Sequence, residues 1–198
     1  MLAEAYLLKE LTQRSAVLEV GGGTGATTER ILSSIEANKI SKYTFTDVSP
    51  RFLAEANRRF ERHANYEGKL LDINEDALEQ GFCPNSYDIV VAVNVFHVAV
   101  EPVKALANVV RIMRSNGKMI LCEGAPGIDG RVWAAEPAFA FLRQWASSQF
   151  SRDICSGFYP LDFWLAAAFR AGLHPIPLCP LRWYSPALRG GIVSLCRR

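Results

Sequence analysis

No stretch of this sequence approaches the roughly 20 consecutive apolar residues that a membrane-spanning helix needs. Its apolar runs, such as Ile89 to Val93, have the length of strands. Met1 to Leu11 does not read as a secretory leader, because Glu4, Lys9 and Glu10 stand among its apolar residues. Paired cysteines are lacking: Cys83, Cys122, Cys155, Cys179 and Cys196 are odd in number, scattered, and form no CxxC. This pattern argues against a disulfide framework and against a zinc site, so no metal is expected. The cysteines read instead as buried small apolar residues of a protein in the reducing cytoplasm. An excess of one charge is absent too. The 22 basic and 20 acidic residues leave a net +2, too even for a phosphate-backbone footprint, so neither nucleic acid nor membrane is an expected partner. There is no internal repeat, low-complexity tract or Ser/Gly linker, and 198 residues suit one α/β domain.

What the chain does contain is a series of short β-branched runs, each followed by a helical pattern. Ala16 to Val20 reads as a buried strand that ends in a glycine turn, and Thr27 to Ala37 as the helix after it. Tyr43 to Asp47 is a second strand. Ser49 and Pro50 then open a helix through Phe52, Ala56 and Phe60, Ser as N-cap and Pro at the first helical position. Tyr66 to Asp72 and the continuously apolar Tyr87 to Val93 are the next strands. Pro102 to Met113 is a helix stopped by Ser115-Asn116-Gly117, and Lys118 to Glu123 a fifth strand. After Glu123 the pattern changes to a stretch rich in Gly, Pro and aromatics, then a helix from Pro160 to Ala171 and a last strand from Gly191 to Cys196. Such alternation predicts a Rossmann-like, doubly wound α/β fold: a mostly parallel seven-stranded sheet with helices on both faces.

The turn after the first strand is Glu19-Val20-Gly21-Gly22-Gly23-Thr24-Gly25. Glycines at Gly21, Gly23 and Gly25 let the backbone approach a ligand closely. A dinucleotide would need phosphate contacts at the following helix N-terminus, near Thr27 and Thr28. Glu19 argues against that, since a negative charge there suits a cationic cofactor with an amino group. Asp47 ends the second strand, 22 residues after Gly25, where a carboxylate can accept both hydroxyls of a ribose. Asp72 and Ile73 stand at the end of the third strand, where a carboxylate and an apolar side chain can meet a ligand. Asn94, just past the fourth strand, offers a backbone carbonyl.

The ExGxGxG arrangement resembles class I S-adenosylmethionine-dependent methyltransferases. Further blocks resemble the carbon-methyltransferase domains of polyketide synthases: Val17 to Gly25 (VLEVGGGTG), Tyr43 to Ser49 (YTFTDVS), Leu71 to Phe82 (LDINEDALEQGF), Tyr87 to His97 (YDIVVAVNVFH) and Gly117 to Glu123 (GKMILCE). Gln80-Gly81-Phe82 and Asn94-Val95-Phe96-His97 are more specific than the glycines. The likeness covers roughly residues 15 to 125, and Asp162-Phe163-Trp164 resembles the segment before the family's last strands. It implies S-adenosylmethionine as cofactor, held at Glu19, Gly21, Gly23, Gly25, Asp47, Asp72, Ile73 and Asn94. It implies methylation of the α-carbon of a β-ketoacyl chain on the phosphopantetheine arm of an acyl carrier protein, in polyketide biosynthesis. It also implies a catalytic histidine and glutamate at the matching positions, His97 and Glu123.

The strand pattern agrees with that pair. His97 follows the fourth strand and Glu123 ends the fifth; these should be neighbours, and ligands bind at that edge of a doubly wound sheet. A carbon between a ketone and a thioester is acidic enough for an imidazole base, and a carboxylate can hold the imidazole's tautomer. Tyr159 is a candidate for a polar contact to substrate, and residues 124 to 185 form a substrate-side insertion with helices. His63 and His174 read as solvated and loop residues. The family carries a helical lid before its glycine turn; residues 1 to 14, with helical spacing at Leu2, Tyr6 and Leu11, read as its remnant. After His97 the sequence continues Val98-Ala99-Val100, where the family shows a small residue and threonine. Two other readings stay open: an oxygen- or nitrogen-methyltransferase of a free small molecule, and a non-catalytic structural module of a synthase.

Overall fold

The computed structural model describes residues 14–34, 39–124, 159–175 and 190–197. The elements are β1 (Ser15–Val20), α1 (Ala26–Ser34), β2 (Ile40–Asp47), α2 (Pro50–Phe60), β3 (Tyr66–Leu70) and β4 (Tyr87–Val93). A 3-10 turn at Phe96–Val98, α3 (Pro102–Val110), β5 (Met113–Gly124), α4 (Leu161–Arg170), β6 (Leu173–Pro175) and β7 (Gly190–Arg197) complete them. The seven strands form one sheet in the order β3-β2-β1-β4-β5-β7-β6. β1 to β5 pair in parallel, and β7 runs antiparallel between β5 and β6.

The alternating side chains of the central strands fill two cores, one on each face. Val17, Tyr43, Phe45, Ile89, Val91 and Ile120 pack under α1 and α2, with Ile31, Ala56 and Phe60. Leu18, Val20, Val90, Ala92, Met119 and Leu121 pack on the other face under α3 and α4, with Leu106, Val109 and Trp164. Burial on both faces explains why Ala16 to Leu18 of β1 and Ile89 to Val93 of β4 are apolar runs rather than alternating.

Several details differ from the sequence reading. α1 is described as far as Ser34, and the third strand stops at Leu70, so that Asp72 lies in the loop beyond it. The fifth strand begins at Met113, taking in the polar Arg114 to Gly117 with a register shift against β4 between Tyr87 and Ile89. Asn116 there adopts a left-handed φ of 62°, which asparagine tolerates. His174 sits in strand β6, not a loop. Ser49 occupies the N-cap of α2 but makes no side-chain cap bond; its N–H donates to Asp47 Oδ1 at 2.8 Å instead. The cysteines correct the expectation of burial: Cys83 is exposed and Cys122 and Cys196 are half-buried. Cys83 lies in the turn before β4, where no core covers it. Among the described residues no group of His, Cys, Asp and Glu could hold a metal ion, and no helix is long and apolar enough to cross a membrane. The expected lid helix, the aromatic-rich stretch from 125 to 158, and Cys155 and Cys179 lie outside the described residues.

Candidate active site

The glycine turn is tied to its neighbours on three sides. The Gly22 N–H donates to the Thr46 carbonyl at 2.9 Å, and the Thr46 hydroxyl donates to the Glu19 carbonyl at 2.7 Å. The Gly23 N–H donates to Asp47 Oδ2 at 2.9 Å. Both Asp47 oxygens thus accept a backbone N–H, and each keeps a second lone pair. From α2, the Arg59 guanidinium donates to the Thr24 carbonyl and pairs with Glu29 at 3.1 Å.

The glycines differ in what they make room for. A Cβ on Gly21 would lie 1.7 Å from Val95 Cγ2, so this glycine admits the segment that follows β4. At Gly22 and Gly25 the rings of Phe45 and Phe60 take that place. Gly23, with φ of 54°, opens on space where a Cβ would meet nothing within 4 Å. Gly21→Ala is therefore expected to destabilise the fold by about 1–3 kcal/mol through overpacking, read by denaturant unfolding. Gly23→Arg should leave the core intact yet fill the turn and abolish cofactor binding in calorimetry. Unchanged binding would remove the glycine turn from the site.

Glu19 turns inward. It is 2% exposed, and its Oε2 accepts from the hydroxyls of Thr28 at 2.5 Å and Tyr43 at 2.7 Å. Burial pushes its carboxyl above the ordinary range against the pull of those two hydroxyls, and the Asp47 charge adds to the rise. Burial and Glu19 together push the Tyr43 phenol well up as well. A carboxyl raised on folding contributes stability that is complete below its unfolded pKa and is lost as pH climbs through its folded one. Glu19→Gln should therefore melt higher than the parent at neutral pH, and that advantage should fade near about pH 4, where the parent carboxyl is protonated. Melting curves at both pH values check this; a pH-independent difference would contradict it.

At the other side of the turn, His97 and Glu123 meet. His97 Nδ1 lies 2.7 Å from Glu123 Oε2, and the two residues are only 6% and 4% exposed. Glu123 Oε1 accepts the N–H groups of Val95 at 2.9 Å and Phe96 at 2.7 Å. An acceptor at Nδ1 puts the proton there and the imidazole lone pair on Nε2. The β4–β5 register, with Val93 opposite Cys122, brings the two strand ends level. The 3-10 turn at Phe96–Val98 then folds His97 back over Glu123. Asn94 adopts a left-handed φ of 54°, and its Oδ1 accepts from the Gly124 N–H at 3.1 Å, lacing β4 to β5. That side-chain role adds to the backbone one expected from its position.

Asp72 Oδ1 accepts both N–H groups of Asn74, at 2.9 and 3.0 Å. Ile73 is 9% exposed and belongs to the core beside Leu71 and Phe82. Tyr159 is 3% exposed, stacked on Phe163 with ring centroids 4.0 Å apart and edge-on to Trp164. His63 is exposed, as expected. Sequence reasoning missed Thr28, Tyr43, Asn74 and Asn108. Their signal was a polar group placed among residues that otherwise pack a core.

A methyltransferase domain family matches residues 18–119, just over half of the chain. The chain belongs to this methyltransferase domain family. The methyltransferase calH of Penicillium decumbens is 42% identical over 114 residues, which cover 56% of this chain and 31% of calH. The reducing polyketide synthase ppsB of Aspergillus oryzae is 43% identical over 109 residues, 54% of this chain and 4% of that protein. The chain therefore spans a third or less of these relatives' length. Among solved structures, the trans-methyltransferase CalH in complex with SAH superposes with a TM-score of 0.82 at 28% identity, over all of this chain and 55% of that one. The C-methyltransferase domain of the citrinin polyketide synthase shares the fold, with a TM-score of 0.75 at 22% identity over 92% of this chain and 46% of that one.

The methyltransferase domain is S-adenosylmethionine-dependent. Its residues fit that cofactor. Gly23 leaves open space at the strand end, Asp47 ends β2 and Asp72 lies just past β3, and Glu19 Oε1 has no hydrogen-bond donor among the described residues.

Proposed function

We propose that the domain methylates the α-carbon of a β-ketoacyl thioester carried on the phosphopantetheine arm of an acyl carrier protein. The observation that carries this reading is the buried His97–Glu123 pair, 2.7 Å apart, beside the glycine turn. S-adenosylmethionine, when bound, supplies an electrophilic methyl on a sulfonium.

The chain's own residues supply the rest. Gly23 would let the backbone approach the methionine part, with Gly21 keeping Val95 close and Gly25 seating Phe60 behind the turn, and with Glu19 and the Asn94 carbonyl beside its ammonium. Asp47 would accept the ribose hydroxyls on its remaining lone pairs, and Asp72 the adenine amino group, with Ile73 along the ring. His97 Nε2 would take the α-proton of the β-ketoacyl group. Glu123 would stabilise the imidazolium so formed, while its two backbone N–H partners hold it in place. A buried imidazole oriented through Nδ1 suits a carbon acid, whose proton is not shed to water as readily as a hydroxyl's. Tyr159 and its stacked neighbours would wall the acyl chain.

The test is a choice of substrates offered to the full-length protein on a carrier: a β-ketoacyl chain and the matching saturated acyl chain. The reading expects one added methyl on the α-carbon of the first and none on the second. Equal methylation of both, or of a free alcohol or amine in preference, would overturn it.

A further inference from the structure

The loop after β3 is held in an unusual way. Two side-chain amides from outside it, Gln80 and Asn108, hold the backbone of Asp72 and Ile73, and Asn74 within it holds the Asp72 carboxylate. Gln80 closes on the Asp72 backbone from both sides: its Oε1 accepts the Asp72 N–H at 2.8 Å, and its Nε2 donates to the Asp72 carbonyl at 2.9 Å. The same Nε2 lies 3.3 Å from the Asp76 carbonyl, closing the following turn. Asn108 comes from α3 and donates through Nδ2 to the Ile73 carbonyl at 3.0 Å. Asn74 holds the Asp72 carboxylate through two N–H groups, and its own Oδ1 accepts the Val100 N–H at 2.9 Å.

Asn108 is only 8% exposed, on a helix face otherwise occupied by Ala105, Leu106 and Val109. A buried amide there is costly unless bonded, and an apolar residue would pack as well. Its one hydrogen bond goes to this loop. Gln80 likewise spends its whole amide on backbone groups of the same few residues. The bonds from Gln80 and Asn108 to the backbone join neutral partners. Asp72 Oδ2 accepts nothing among the described residues, so one carboxylate oxygen is left over from an otherwise saturated cage.

We infer that Gln80, with Asn108 and Asn74, is a positioning residue that fixes Asp72 for reading the cofactor's base. The inference rests on the reading of Asp72 as the acceptor for the adenine amino group. An immobile carboxylate discriminates between bases, because it cannot turn away from an analogue that presents an acceptor where adenine presents a donor. A loosely held one rotates into water and rejects nothing. The cage thus sets specificity for adenine over hypoxanthine, beyond its contribution to affinity. Through Asn74 and Val100 it also anchors the loop that carries His97.

The test compares binding of S-adenosylhomocysteine with that of its deaminated S-inosyl analogue, by calorimetry on the full-length protein. The parent should favour the adenosyl ligand by about 10- to 100-fold, the range expected of one hydrogen bond to a charged group. Gln80→Glu keeps the acceptor for the Asp72 N–H but turns a carboxylate oxygen toward the Asp72 carbonyl. It should narrow the preference to about threefold or less, within what loss of that bond allows. Gln80→Met, of similar length with neither polar atom, should narrow it equally. Weaker binding of both ligands with the parent's ratio retained would show Gln80 to be structural support only and overturn the inference. A parent that binds the adenosyl ligand without discriminating would instead overturn the role of Asp72, and a parent that binds neither would overturn the cofactor site itself.

Discussion

His97→Ala is expected to leave S-adenosylmethionine binding near the parent value while turnover falls about 10²- to 10⁴-fold, the usual contribution of a positioned general base. The split follows from geometry. His97 stands on the 3-10 turn after β4, bonded to Glu123 rather than to the glycine turn or to Asp47. Removing a buried ring bonded to Glu123 costs some stability, so folding is checked by melting. Added imidazole should restore part of the rate by entering the vacated space. Calorimetry for the cofactor and a methyl-transfer assay on the same preparation decide the matter. Full activity in His97→Ala would remove it as the base, and loss of cofactor binding would show it to be structural.

Glu123→Gln should be nearly as damaging to turnover, by about 10²- to 10⁴-fold, with the fold retained. Glu123 Oε1 accepts two backbone N–H groups and Oε2 faces His97 Nδ1. A glutamine has one acceptor oxygen to serve three donors. If that oxygen stays with Val95 and Phe96, the amide N–H groups face Nδ1, the imidazole proton moves to Nε2, and the basic nitrogen points away from substrate. The alternative leaves two buried N–H groups opposed by a donor, which the unbroken turn resists. The chemistry therefore fails through the wrong tautomer, and the ring signals in a proton-detected nitrogen spectrum should report the switch. A Glu123→Gln protein that retains the parent's turnover would show that no carboxylate is needed to orient the ring.

Much of this fold was legible because its physics is local. Ala16 to Leu18 of β1 and Ile89 to Val93 of β4 announce themselves as apolar runs, as strands covered on both faces require. Pro50 and Pro102 mark helix starts, each with the proline at the first helical positions. The encounter of His97 with Glu123 followed from two adjacent strand ends. Other features depend on tertiary contacts that no window of sequence contains. β6 is three residues long and includes His174 and Pro175 at the sheet edge, where a proline is tolerated but gives no strand pattern. The start of β5 hides in the polar Arg114 to Gly117, which only pairing explains. Gly21 reads in sequence as room for a ligand, whereas its missing Cβ makes room for Val95, 74 residues away in the chain. Glu19 reads as a charge aimed at a cofactor, yet one of its oxygens is taken by Thr28 and Tyr43. Gln80 stands out in sequence only as part of a motif, and Asn108 not at all, until their partners are seen.

The most direct test of the account is transfer of a labelled methyl group from S-adenosylmethionine to a β-ketoacyl pantetheine thioester by the full-length protein, followed by nuclear magnetic resonance of the product. The account predicts that the label appears as a methyl bonded to the α-carbon, and that it disappears in His97→Ala. A label found on oxygen or nitrogen, or an α-methyl product formed equally well without His97, would contradict it.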